Sequence, residues 1–395
     1  MIMPDVPRAS IIINNYNYGR FLADAIDSAL SQTYANIEII VVDDGSSDHS
    51  RDVILGYGDR IHPVFKGNGG QASAYNAGFA VADGDAICFL DADDTLNATA
   101  MFEAVEIMRD PRIVKVEWRL NMMDAMGREM GGIVPEKSLP DGDLRHHTIS
   151  DGPFYDWLIT PPGSGNCYSR RMLQSVIPVP EQPFRHGADV YLTVLAPIYG
   201  GICRLPEPQG RYRIHDQNNY FGRALDSSRV SDYIRRFEDC CLQLQKHQQS
   251  QGIAVDMNDW KNRNVNYLWP TRLLQAKSDL EDILPPGASY VLVNDGEWGD
   301  GKLVNDRHAL PFLERGGEYW GPPCDDESAI AELARLRREA GAAYIAFAWT
   351  AFWWFDCYPN FHACLRSNAK CVLENDRLIV FDIRRAEVEA VCTKC

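Results

Sequence analysis

The 395-residue sequence predicts an α/β protein with more than one domain: a doubly wound, mostly parallel sheet first, a helical connector, and a smaller α/β domain last. Three observations carry this prediction. Short apolar, β-branched runs alternate with amphipathic stretches through the first hundred residues. Residues 227–282 are polar and helical, with little strand signal. Pro285-Pro286-Gly287 then punctuates a return to strand–helix alternation.

Taken in order, residues 11–14 form an apolar strand, followed by a helix with Phe21, Leu22, Ala25, Ile26, Ala29 and Leu30 at helical spacing. Residues 37–42 are apolar or β-branched almost throughout, as a strand covered on both faces requires. Ser46 and Ser47 are placed to cap a helix running to Leu55. A third strand is expected at 63–65, a helix at 71–82 closed by Asp83-Gly84, and a fourth strand at 86–90. From Met101 to about Asn219 the pattern loosens, with proline-rich connections near Pro161-Pro162 and Pro178. The last part reads as a strand at 290–294, a helix at 327–340 ended by Gly341, a strand at 344–348, another helix and a hairpin at 370–382. The resulting domains are 1–225, a connector at 226–284, and 285–395.

Hydrophobic content of 45% and charged content of 24% suit a soluble globular chain. The net charge of −16 works against phosphate backbones and anionic lipid surfaces, so nucleic acid is not expected as a partner. No basic-then-apolar leader opens the sequence, and the longest apolar run, 342–355, falls short of the roughly 20 residues of a spanning helix. Neither a signal peptide nor a transmembrane segment is expected. Eleven cysteines without secretory features read as reduced thiols in a cytoplasmic protein, one that could work at the inner face of the membrane. The C-x-x-C spacing of Cys392 and Cys395 reads as a frayed tail, not as a metal or redox pair.

Open parallel sheets bind ligands at the carboxyl ends of their strands. There the sequence places Asn14-Asn15-Tyr16-Asn17, Asp43-Asp44-Gly45-Ser46, Gly67-Asn68-Gly69-Gly70 and Asp91-Ala92-Asp93-Asp94, after the first to fourth strands respectively. For a nucleoside diphosphate, Tyr16 can stack on a base and Asp44 can accept from a base N–H or a ribose hydroxyl. The glycine loop can bring backbone N–H groups to a phosphate, beside the helix start at Gln71. One of Asp91 and Asp93 can hold a ribose while the other binds a hard divalent cation bridging the diphosphate. Each element also has an ordinary reading as a cap or a tight turn, and only their gathering on one rim points to a site.

Two other readings use the same residues. Gly67-Asn68-Gly69-Gly70-Gln71-Ala72 satisfies the G-x-G-x-x-A dinucleotide fingerprint, with Asp91 about twenty residues on, as in an NAD(P)-dependent oxidoreductase. Against it, the fingerprint follows the third strand and leaves two acidic clusters unexplained. A non-catalytic nucleotide-sugar binding module is the second alternative.

Tyr16-Asn17, Gln32-Thr33-Tyr34, VVDDGSSD, GNGGQASAYNAG and FLDADD, in that order and spacing, resemble the nucleotide-binding half of family 2 glycosyltransferases. Such enzymes have the GT-A fold, a Rossmann-like, doubly wound mixed sheet. The usual proline or threonine after the first strand is replaced by Asn14 and Asn15. The resemblance implies an inverting transferase acting on a nucleotide-sugar donor, with UDP favoured over dTDP and GDP. It assigns Asn14, Tyr16, Asn17, Asp43, Asp44, Gly69, Gly70, Gln71, Asn76, Asp91 and Ala92 to the donor, and Asp93 with His215 to Mn2+ or Mg2+. Asp189 of HGADVYLT corresponds to the general base, although Ala188 precedes it. Ser164, Gly165 and Asn166 correspond to the acceptor-side loop. With no spanning helices and no Q-x-x-R-W motif, a single addition is expected in glycan or polysaccharide biosynthesis. The acceptor would be a glycan, a lipid-linked molecule, a peptide or a small molecule.

Beyond Pro285 no motif carries chemistry. The aromatic run Trp349–Phe355, with Tyr319-Trp320 before it, reads as core, with sugar stacking as the alternative. His308, Glu314, Glu318, Asp325 and Asp326 read as surface and capping residues.

Overall fold

The computed structural model describes residues 6–153, 159–218, 227–298, 304 and 306–385, so Cys392 and Cys395 lie outside the described residues. The chain divides into two compact units, one of residues 1–221 and 236–264, the other of 222–235 and 265–395. The stretch read as a connector is therefore shared between them.

The first unit begins β1 (Ala9–Asn15), α1 (Gly19–Leu30), β2 (Ile37–Asp43), α2 (Ser50–Gly56), β3 (His62–Phe65), α3 (Gln71–Val81) and β4 (Ala86–Asp91). It continues through β5 (Thr95–Leu96), α4 (Ala100–Met108), β6 (Ile113–Glu117), β7 (Leu120–Met123), β8 (Glu129–Val134) and α5 (Arg145–Asp151). Then come β9 (Asn166–Ser169), α6 (Arg170–Val176), α7 (Ala188–Tyr199), β10 (Gly201–Arg204) and β11 (Gly210–Arg213). Seven strands form one sheet in the order β10-β6-β9-β4-β1-β2-β3. β1 to β4 are parallel, and β9 runs antiparallel between β4 and β6, which makes the sheet mixed. A smaller sheet has the order β5-β11-β7-β8.

The central strands are apolar through their middles because helices cover both faces. Ile11, Ile13, Val41, Cys88 and Leu90 share a core with Leu22, Ala25 and Ile26 of α1 and Met101 and Ala104 of α4. On the opposite face α3 lies so close that a Cβ on Gly78 would come within 2.3 Å of Ile12 Cγ2. α2 begins at Ser50, later than Ser46 or Ser47. Ser46 Oγ instead accepts the Asn17 N–H (2.9 Å), tying the loop after β2 to the loop after β1.

Short strands β6 to β11 fill the region where sequence periodicity is loose. In β6 the apolar pattern is broken by Lys115 and Glu117, which point the same way and pair at 2.5 Å with both side chains buried. Burial pushes the Glu117 carboxyl up, and Lys115 pulls it back down. Lys115→Ala leaves that carboxylate buried without its cation. A loss of about 3–5 kcal/mol is expected in chemical denaturation. The double variant Lys115→Met/Glu117→Gln should recover most of it, and a single variant as stable as the parent would refute the account.

α8 (Ser227–Ser250), α9 (Met257–Arg263) and α10 (Val265–Ile283) follow. The second unit then runs β12 (Ser289–Val293), β13 (His308–Pro311), β14 (Glu314–Arg315), β15 (Glu318–Tyr319), α11 (Asp326–Glu339) and β16 (Tyr344–Ala348). It ends with α12 (Trp354–Cys357), α13 (Pro359–Asn368), β17 (Lys370–Glu374) and β18 (Leu378–Asp382). Five strands make its sheet, in the order β13-β12-β16-β18-β17. Asp325 caps α11 by accepting the Ser328 N–H, Glu314 pairs with Arg335, and His308 and Glu318 are exposed. Trp354 is in the core, whereas Trp353 and Trp320 are exposed. Among the described residues no helix is long and apolar enough to cross a membrane, and the nine cysteines are free.

Candidate active site

Strand order in the large sheet reverses at β1, with β2 and β3 on one side and β4 on the other. Asn14 and Asp91 are register partners across this point, and Asn14 Nδ2 donates to Asp91 Oδ1 at 2.9 Å. A cavity of about 430 Å³ opens at these strand ends. Its wall takes Asn14, Asn15 and Tyr16 after β1, Asp44 after β2, Gly70 and Gln71 at the start of α3, and Asp91 and Asp93 after β4. Asp189, in the first turn of α7, completes it.

Four carboxylates, those of Asp44, Asp91, Asp93 and Asp189, thus line one low-dielectric space. Burial, then the charge of Asp93, pushes the Asp91 carboxyl up to about 7. Burial, then the charge of Asp93, likewise pushes the Asp94 carboxyl well above the ordinary carboxylate range, although it accepts from Ser164 Oγ (2.7 Å) and the Arg213 N–H (3.0 Å). Unfolded aspartate titrates near ~3.9. Between that value and about 7 the folded chain therefore binds more protons, and its stability falls as pH rises. Asp91→Asn should raise the denaturation midpoint above the parent's at pH ~7.5 and leave it unchanged near pH ~4. Equal shifts at both values would rule out titration as the cause.

Asp93 Oδ2 lies 3.0 Å from His215 Nε2. The Gln217 N–H donates to His215 Nδ1 (3.1 Å), which sets the ring with Nε2 facing Asp93. Phe21 and Tyr18 pack on the imidazole at 4.8 and 5.5 Å. Arg213, buried two residues earlier, donates from Nε to the Asp93 carbonyl (2.8 Å) and ion-pairs with Asp24 (2.8 Å). The turn bearing Asp93 is thereby fixed by β11. Among the described residues no three His, Cys, Asp or Glu side chains group as a metal site.

Asp189 is held differently. Gln71 Oε1 accepts from the backbone N–H of Gly187 (2.8 Å) and Ala188 (3.0 Å), which fixes the start of α7 against the start of α3. Burial raises the Asp189 carboxyl, and Arg236 opposes that rise.

Residues 10–130 match the family described as Glycosyl transferase family 2. Over 225 residues the chain is 37% identical to an uncharacterized glycosyltransferase of Nostoc sp., covering 56% of this chain and 69% of that one. The chain belongs to glycosyltransferase family 2. An uncharacterized glycosyltransferase of Rickettsia prowazekii is 38% identical over 133 residues, 33% of this chain and 42% of the relative, so the match spans less than half of that protein. Residues 1–349 of S. aureus TarS align with a TM-score of 0.47 at 14% identity, over 70% of this chain and 75% of that one.

In this family 2 glycosyltransferase, several residues expected at the donor make hydrogen bonds within the loops at the strand ends. Asn17 has φ +58 and accepts the Ser47 N–H (2.7 Å), while Asp43 accepts from Asn15 Nδ2 (2.9 Å). Asn76 exchanges two hydrogen bonds with the Val179 backbone, and Ala92 is buried. Gly69 and Gly70 do not offer their amides to a phosphate. Both donate to the Asp44 carboxylate (3.0 and 2.7 Å), and the Gln71 N–H donates to the Arg185 carbonyl (2.7 Å). Gly70 has φ +89, and a Cβ there would meet the Arg185 carbonyl oxygen at 2.5 Å. Within the dinucleotide fingerprint the amides of Gly69, Gly70 and Gln71 are thus already engaged.

The acceptor-side loop is also turned inward. Ser164 is buried, accepting the Asp91 N–H (3.1 Å), and Gly165 lies under Trp118. Asn166 donates to Pro162 and Gly163 (3.0 and 3.1 Å), and it is Pro162 and Gly163 that line the cavity. Sequence reasoning missed Arg185, His186, Tyr212 and Asn218, which also line it. The available signal was adjacency, since His186 lies in HGADVYLT with Arg185 just before it, and Tyr212 and Asn218 lie in YRIHDQNN.

Proposed function

We propose that this glycosyltransferase moves a sugar from a nucleoside diphosphate donor, with UDP favoured, to an acceptor hydroxyl by a single inverting displacement assisted by a divalent cation. The observation that carries the reading is the convergence of Asp91, Asp93 and Asp189 on one cavity with His215 against Asp93. Tyr16, at the cavity and 48% exposed, is available to stack on the base. Asp91 suits a ribose or sugar hydroxyl, because a carboxyl titrating near 7 can donate or accept. Catalysis is assigned to residues 1–225, with 226–284 connecting them to an accessory domain at 285–395.

The donor set supports a cation bound together with the diphosphate. Asp93 and His215 supply two ligand atoms, few for a protein-only site, and hard cations of this kind take their other positions from phosphate oxygens and water. Such a cation would offset charge on the departing diphosphate.

Asp189 is the base in this reading. It removes the acceptor proton as the hydroxyl attacks the anomeric carbon from the face opposite the nucleotide, and single displacement inverts the centre. The raised carboxyl pKa strengthens it as a base, and Gln71 keeps it aimed. The acceptor is a hydroxyl-bearing glycan, lipid-linked molecule, peptide or small molecule.

A thermal-shift screen of UDP-, dTDP- and GDP-sugars with and without Mn2+ or Mg2+ tests the proposal. A cation-dependent rise in midpoint with one nucleotide class is expected. Stabilisation by NADH and by no sugar nucleotide would overturn it.

A further inference from the structure

The second unit has a reversal of strand order of its own. β12 pairs in parallel with β13 on one side and β16 on the other, and the chain visits β13 before crossing to β16. Strand order therefore reverses at β12, the arrangement in which open α/β sheets receive ligands at the carboxyl ends. Asn294-Asp295-Gly296 follows β12, and Trp349-Thr350 follows β16, joined where Thr350 Oγ1 donates to the Asn294 carbonyl (3.1 Å).

Asp295 is the unusual residue there. It adopts φ +52, a left-handed conformation uncommon outside glycine. Its carboxylate collects Trp353 Nε1 (2.6 Å), Trp354 Nε1 (3.1 Å) and the Tyr319 hydroxyl (3.3 Å). Trp354 and Tyr358 pack edge to face beneath (5.1 Å). The indole of Trp353 is locked through its N–H yet left 40% exposed, and Trp320, next to Tyr319, is 63% exposed with Arg315 over its ring at 5.1 Å.

A tryptophan that only fills a core has its faces covered. One pinned by its edge to a carboxylate presents a flat apolar face in a fixed orientation, which lowers the ordering cost of binding. Beside that face Asp295 still has acceptor capacity, since a carboxylate accepts about four hydrogen bonds. A pyranose matches both features, with an apolar C–H face and hydroxyl donors at its rim. Asp295 and Glu297 disfavour an anionic ligand, and a carboxylate amid the rings disfavours a purely apolar one.

We propose that the carboxyl ends of β12 and β16 bind a neutral oligosaccharide, with a sugar ring stacked on Trp353 and a hydroxyl donated to Asp295. This site lies beyond the transfer chemistry proposed above and does not depend on it. The 395-residue chain is titrated calorimetrically with maltotetraose, cellotetraose, chitotetraose and mannotetraose. At least one should bind, Trp353→Ala should weaken it by about tenfold or more, and Trp353→Phe, which keeps a ring but loses the N–H to Asp295, should fall between the two. Asp189→Asn should bind like the parent. The proposal fails if none of the four binds, if Trp353→Ala binds as the parent does, or if Asp189→Asn removes binding while Trp353→Ala keeps it.

Discussion

Asp189→Asn is expected to lower transfer by roughly 10²–10⁴-fold, the usual contribution of a positioned general base, while donor binding stays within about twofold. The change removes one basic oxygen without altering shape. It leaves the Gln71 contacts to Gly187 and Ala188 intact, because those run through backbone N–H groups. Turnover with a matched donor and acceptor gives the first number and calorimetry with the nucleotide sugar the second. If donor affinity collapses together with turnover, Asp189 binds the donor and is not the base. Undiminished turnover would dismiss it from the chemistry.

Asp93→Ala is expected to cost about 10²–10³-fold in turnover and to abolish cation dependence altogether. In the parent, Mn2+ alone should bind weakly, because Asp93 and His215 offer only two ligand atoms, and tightly once UDP is present. The variant should lose that cooperative binding. It should fold, since the Arg213 contact to residue 93 goes to the backbone carbonyl and survives. Mn2+ titrations with and without UDP separate the possibilities, and an Asp93→Ala protein still needing Mn2+ for transfer would place the ion elsewhere.

The two expectations concern residues that reach the cavity from distant parts of the chain, and they were not equally visible in the sequence. FLDADD follows a strand of unmistakable apolar character, so Asp91 and Asp93 could be placed at a strand end from local pattern alone. Asp189 and His215 stood in stretches where periodicity is loose, and only the resemblance to a family singled them out. The strands around them escaped notice for a physical reason. β6 buries Lys115 and Glu117 as a pair, so its alternation does not read as apolar.

Local sequence determined the alternation of strands and helices in the first unit. It also determined that acidic, amide and glycine residues stand after its strands, because side-chain period and turn chemistry act over a few residues. What each of those residues does was decided only by the tertiary structure. The Gly69 and Gly70 amides face Asp44, Ser164 and Asn166 turn inward, and Arg213 anchors Asp93. Backbone donors and buried carboxylates find partners wherever folding brings them, across separations such as the 119 positions between Asp94 and Arg213. A donor free in the sequence is therefore rarely free in the fold.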